Sequence, residues 1–110
     1  MLVSWHGTML NCPGWGDSQA RALGFTLAGF EDDPDIHVMM NMYWEPLDMA
    51  IPMIPGRQWT RAVDTSLPSP SDIADPGTEV MCSGPSCRVN GRSIVVLVSK
   101  RAFASDGQTL

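Results

Sequence analysis

Glycine and proline together account for nineteen of the 110 residues, ten and nine, and they are spread along the whole chain. Glycine weakens a helix interior and proline breaks it. Punctuation this dense favours many short elements over a few long ones. Between the breaks, several segments alternate. Ile36, Val38, Met40 and Met42 share one face, and His37, Met39, Asn41 and Tyr43 share the other. That is the two-residue period of a strand. Leu23, Phe25 and Leu27 alternate with Gly24, Thr26 and Ala28, which predicts a strand over about Arg21 to Phe30. Asp17 or Ser18 also offers a cap for a short helix ending at Gly24, and the strand is preferred. Leu47, Met49, Ile51 and Met53 alternate too, but Pro52 cannot donate to a ladder, so an edge strand is expected.

The remaining segments fit the same picture. Trp59 and Val63 share a face of Gln58 to Asp64, with Trp59 expected in the core. Ser93 to Val98 is apolar on both faces, as in a central buried strand. Glu79 to Cys82 and Cys87 to Asn90 flank Ser83-Gly84-Pro85-Ser86, which predicts a hairpin. Residues 1–16 read as an irregular lead-in with one short strand at Leu2 to Trp5. Thr65 to Gly77, with prolines at 68, 70 and 76, reads as a loop. Residues 99–110 read as a polar tail that frays. The expected fold is one all-β domain over 1–110, an antiparallel β-sandwich of about seven to eight strands.

Composition narrows the function. Apolar residues make up 44% of the chain, enough for a real core. At 110 residues the chain is too short for a (β/α)₈ barrel, which needs about 250. Seven Lys and Arg against twelve Asp and Glu leave a net charge of −5. No nucleic-acid partner is expected, because phosphate affinity comes from Lys and Arg. No membrane partner is expected either, since anionic surfaces repel an acidic chain and no apolar run approaches about 20 residues. No basic region precedes an apolar stretch at the N-terminus, so no signal peptide is expected. Three cysteines, Cys12, Cys82 and Cys87, are an odd and sparse set for a secreted disulfide scaffold, which favours the cytoplasm.

Few residues carry obvious chemistry. Cys82 and Cys87 flank the expected hairpin and read as two small residues facing each other across it. Zinc would need four ligands, and Cys12 and His6 lack paired spacing with them. His37 reads as a surface or half-buried histidine. Glu31-Asp32-Asp33-Pro34-Asp35 lacks the ligand alternation of an EF-hand and reads as a solvated turn. No metal, no cofactor and no catalytic residue is expected. The sequence contains no G-x-S-x-G, P-loop or H-E-x-x-H, and nothing in it sets two carboxylates around a cleft. Tyr43, Trp44 and Trp15 are the candidates for exposed aromatics. Such rings can stack on sugars or dock a neighbouring domain.

Several blocks resemble one family. Asn41-Met42-Tyr43-Trp44-Glu45-Pro46-Leu47, followed by Ile51-Pro52, is similar to the C-terminal domain of bacterial glycogen debranching enzymes of the isoamylase type. So are Gly56-Arg57-Gln58-Trp59, the run Val63 to Ile73, His6-Gly7 with Trp15-Gly16-Asp17, and Arg92 to Leu97. The blocks keep the family's order across about residues 5 to 98. The resemblance implies an antiparallel β-sandwich packed against a catalytic barrel. The parent activity it implies is hydrolysis of α-1,6-glucosidic branch linkages in glycogen. The catalytic acids of that family lie in the barrel, so none is carried over to this chain. The implied role is a non-catalytic accessory domain whose partner is the barrel. The alternative is a glucan-binding module that uses exposed aromatics. The docking face is expected near Tyr43 to Leu47 and Leu67 to Ile73.

Overall fold

Each alternating run becomes a strand. The computed structural model describes residues 3–14, 16, 21–29, 33–75, 80–82 and 84–101. Eight strands are found among them: β1 (Val3–His6), β2 (Ala22–Leu27), β3 (Ile36–Asn41), β4 (Leu47–Ala50), β5 (Arg57–Asp64), β6 (Val80–Cys82), β7 (Ser86–Val89) and β8 (Ser93–Arg101). Six form one antiparallel sheet in the order β1-β2-β3-β8-β5-β6, and β4 pairs with β7 in a second sheet. The fold is all-β, as expected. Among the described residues no helix is long and apolar enough to cross a membrane.

The second sheet covers one face of the first. Its inward residues Met49 and Val89 meet Met39, Trp59, Val95 and Leu97 of the large sheet, and Ile51 closes the cluster. The outward pair Asp48 and Arg88 is solvent-exposed and forms an ion pair at 3.4 Å. Such a pair contributes under about 1 kcal/mol. Alternation also explains why β4 stops at Ala50. Pro52 has no amide to offer, and its carbonyl instead accepts the Trp59 indole N–H at 2.7 Å.

Two faces of the large sheet differ in chemistry. The covered face carries polar side chains among its apolar ones. Asn11 donates its amide to His6 Nδ1 at 2.9 Å, so His6 Nε2 carries the proton and donates to Thr26 Oγ1 at 2.8 Å. The Thr26 hydroxyl then donates to His37 Nδ1, also at 2.8 Å. This chain ties β1, β2 and β3 together beneath the small sheet. His37 is therefore buried, at 1% exposure, and neither on the surface nor half-buried. Thr26 pairs with it directly across the ladder.

The opposite face is apolar throughout its centre. Trp5, Phe25, Val38, Val96 and Val63 stand in register as one row across five strands. Val3, Leu27, Ile36 and Val98 form a second row, and Leu23, Met40 and Ile94 a third. The small sheet does not reach this side. Trp5 remains 43% exposed and Met81, further along, 55%.

Three further expectations need correction. Cys82 and Cys87 do not face each other in a hairpin. β6 pairs with β5 while β7 pairs with β4, so the segment between them crosses from one sheet to the other. The turn residues look the same in both cases, and partner choice is decided by burial. β8 is central, between β3 and β5, but is buried only on its odd-numbered face. It also runs on to Arg101, so Ser99 to Arg101 belong to a strand. Ser99 is buried, accepts the Asp35 amide at 2.8 Å, and receives Arg57 Nη1 at 3.2 Å.

Candidate functional site

Asn41 ends β3 and builds the turn that follows it. Its side chain is fully buried. Its Nδ2 donates to the carbonyls of Glu45 (2.9 Å), Val89 (3.0 Å) and Asn90 (3.2 Å), and its Oδ1 accepts the Tyr43 amide at 2.8 Å. One amide group thus supports both ends of the Tyr43–Glu45 turn and ties it to the β7–β8 connection. Gly91 packs from the other side. A Cβ there would run into the Trp44 carbonyl, so only glycine allows this approach. The Arg92 amide donates to the Tyr43 carbonyl at 2.8 Å.

This turn forms one wall of a cleft of about 540 Å³. Tyr43, Trp44 and Leu47 line it together with Arg21, Ala22, Gly7, Thr8 and Cys12 to Gly14. The loop after β1 is itself braced. The Thr8 carbonyl accepts the Ala50 amide at 2.8 Å, and Asn11 adopts φ 61°, a left-handed conformation asparagine tolerates. Trp44 is 64% exposed, and Tyr43 is half-buried. Their ring centroids lie 5.7 Å apart with the planes inclined at 49°. The Arg21 guanidinium sits 5.3 Å from the Tyr43 ring centroid, a cation–π arrangement. The structure therefore brings Tyr43 and Trp44 together and adds Arg21, which sequence reasoning did not select. Trp15 lies outside the described residues.

The other candidates show little reactive geometry. Among the described residues no group of three or more His, Cys, Asp or Glu could hold a metal ion. Cys12, Cys82 and Cys87 are free. The neighbouring Cys87 thiol, helped by nearby Arg61, holds the Cys82 thiol down to about 7, against the effect of burial. Its interaction with Cys82, together with burial, pushes Cys87 up. Burial holds His37 down to about 4, with His6 adding to the effect and contact with the Ala50 backbone opposing it. His37 is thus neutral near pH 7 and encased, with no path to a substrate.

Comparison with known proteins places this geometry. A family model described as "Isoamylase 1-3, C-terminal" matches residues 4–91. Isoamylase 3, chloroplastic, of Oryza sativa subsp. japonica is 33% identical over 99 residues, covering 89% of this chain and 12% of that protein. Isoamylase 1, chloroplastic, of Arabidopsis thaliana is 32% identical over 74 residues, covering 67% of this chain and 9% of that protein. Isoamylase 2, chloroplastic, of Oryza sativa subsp. japonica is 28% identical over 113 residues, covering 93% of this chain and 14% of that protein. These relatives are plant enzymes, where the sequence resemblance pointed to bacterial ones. The chain spans between 9% and 14% of their length. With the all-β architecture and the match across most of its residues, the chain belongs to the family of isoamylase C-terminal domains.

Proposed function

We propose that this chain is the non-catalytic C-terminal accessory domain of a debranching enzyme, and that it packs on and stabilises that enzyme's catalytic barrel. Hydrolysis of α-1,6-glucosidic branch linkages in glycogen or a related glucan would be the activity of the whole enzyme. The observation that carries this reading is the bare apolar face of the six-stranded sheet. Its central row runs from Trp5 through Phe25, Val38 and Val96 to Val63 without a polar side chain. An antiparallel sheet that faces water on one side ordinarily shows polar residues there. Here the polar residues His6, Thr26, His37 and Asn41 lie on the covered face instead. That inversion fits a sheet whose second face is also buried in the working protein. Inter-domain contacts of on the order of 600–1,500 Å² are ordinary, and this face has room for one. It lies away from Tyr43 to Leu47, one of the two segments expected near the docking surface, while the other, Leu67 to Ile73, meets the end of its central row through the Val63–Ile73 bridge.

The free thiols favour a reducing compartment. The cytoplasm is the proposed location, and the chloroplast named for the plant relatives is its competitor.

A chimera tests the docking reading. In rice isoamylase 3, the segment matched by this chain is replaced by the chain itself. Lysine is then placed at Val3 and Ile94, both exposed on the bare face. The isolated chain should unfold at nearly the same denaturant concentration with and without Val3→Lys and Ile94→Lys, and should hydrolyse no branched glucan. The chimera should lose several degrees of thermal midpoint when the two lysines are introduced. An unchanged chimera midpoint, or hydrolysis by the isolated chain, would overturn the proposal.

A further inference from the structure

We propose that Cys82 and Cys87 form an oxidisable pair, closed to a disulfide by an oxidised low-molecular-weight thiol, and that the bond ties the two sheets together. The topology points both thiols into the space between the sheets. Cys82 of β6 stands opposite Trp59 in the large sheet, and Cys87 of β7 stands opposite Met49 in the small one. Residues directly opposite each other on neighbouring antiparallel strands share a face. Trp59 and Met49 belong to the core cluster between the sheets, and Cys82 and Cys87 pack against that same cluster. The chain crosses from one sheet to the other between these two cysteines, so each thiol enters the core from its own sheet at the crossing point. Both are free thiols. The pair lies between the sheets and takes no part in the bare face.

Access separates their roles. Cys82 lines a cleft of about 160 Å³ together with Pro52, Arg57, Trp59 and Gly84, and Cys87 is not part of its wall. An incoming disulfide therefore meets Cys82 first. The neighbouring Cys87 thiol and the Arg61 charge favour the Cys82 thiolate, and the thiolate is the attacking form. With its proton gone to solvent, Cys82 attacks one sulfur of the oxidant's S–S bond. That bond breaks, and one thiolate leaves. Cys87 then gives its proton to solvent and attacks the Cys82 sulfur, displacing the second thiolate. The protein dithiol loses two electrons. The oxidant gains them and becomes two thiols, which take up the two protons. The new bond fixes the edge strand β6 to β7 of the small sheet.

The test treats the folded 110-residue chain with glutathione disulfide, blocks the remaining thiols with iodoacetamide and reads tryptic peptides by mass spectrometry. Cleavage after Arg61 and Arg88 releases both cysteines on one peptide, residues 62–88. That peptide should be two hydrogens lighter than its reduced form and carry no label. After dithiothreitol it should take up two labels. Cys12, exposed on the loop after β1, should instead end with glutathione attached. Cys87→Ser should trap glutathione on Cys82, and in Cys82→Ser the remaining Cys87 should react at least about tenfold more slowly than that. Far-UV circular dichroism checks both variants. The folded parent chain should hold the disulfide at a glutathione ratio at least about tenfold more reducing than the chain in concentrated urea does. The proposal is overturned if peptide 62–88 stays fully labelled or keeps glutathione while Cys12 is modified. It is equally overturned if the two variants react alike, or if the disulfide is no more stable in the folded chain than in urea.

Discussion

His37 shows how one buried side chain sets a pH window. Its Nδ1 accepts from Thr26, while its Nε2 is buried and closes no hydrogen bond of normal geometry. Burial holds it down to about 4, against 6.5 in an unfolded chain. Between those values the unfolded chain binds a proton that the folded chain refuses. Stability is therefore fully present above about pH 6.5, falls as the pH drops through the window, and levels off below about 4. The loss assigned to this residue is about 3 kcal/mol. Urea unfolding across that pH range checks it, with His37→Leu as reference. The parent chain should lose more stability on acidification than the variant, and parallel pH curves would remove the assignment.

Among the elements, the β3–β4 turn depends on Asn41 more than on its aromatics. Replacing Asn41 by Ala leaves the carbonyls of Glu45, Val89 and Asn90 without this donor, and it opens a hole at a fully buried position. A destabilisation of about 2–4 kcal/mol is expected. The turn should also loosen, so Trp44 fluorescence should lose its anisotropy in the folded variant. Urea titration and time-resolved anisotropy check the two effects.

How far the sequence discloses these elements depends on what decides each one. β3 is legible because its alternation is local and long, and β8 because its apolar run is continuous, although its one-sided burial is not. Trp59 is legible as core by its alternation, while Tyr43 and Trp44, expected to end a strand, lie in the turn beyond Asn41, where β3 stops. The Cys82–Cys87 crossover is not legible, since Ser-Gly-Pro-Ser closes a hairpin or a sheet change equally well. The burial of His37 depends on Thr26 and His6 arriving from other strands. Arg21 enters the cleft only because β2 pairs with β3, where the Arg21 carbonyl accepts the Met42 amide at 2.7 Å. Asn41 did carry a usable signal, an asparagine at the end of a strand just before its turn, where Asx hydrogen bonding is common.

For the whole molecule, the central claim is that the bare face of the six-stranded sheet is covered by the rest of an isoamylase. Oxidative footprinting read by mass spectrometry tests this most directly, because the chain carries its own reporters. Trp5 and Met81 lie on the bare face, exposed by 43% and 55%. Trp44, on the Tyr43–Glu45 turn, lies off it and is exposed by 64%. The isolated chain should oxidise at all three. In the chimera with the rice catalytic portion, Trp5 and Met81 should become protected while Trp44 stays reactive. Protection of Trp44 with Trp5 and Met81 still fully reactive would contradict the account and move the docking surface to the Tyr43–Glu45 turn.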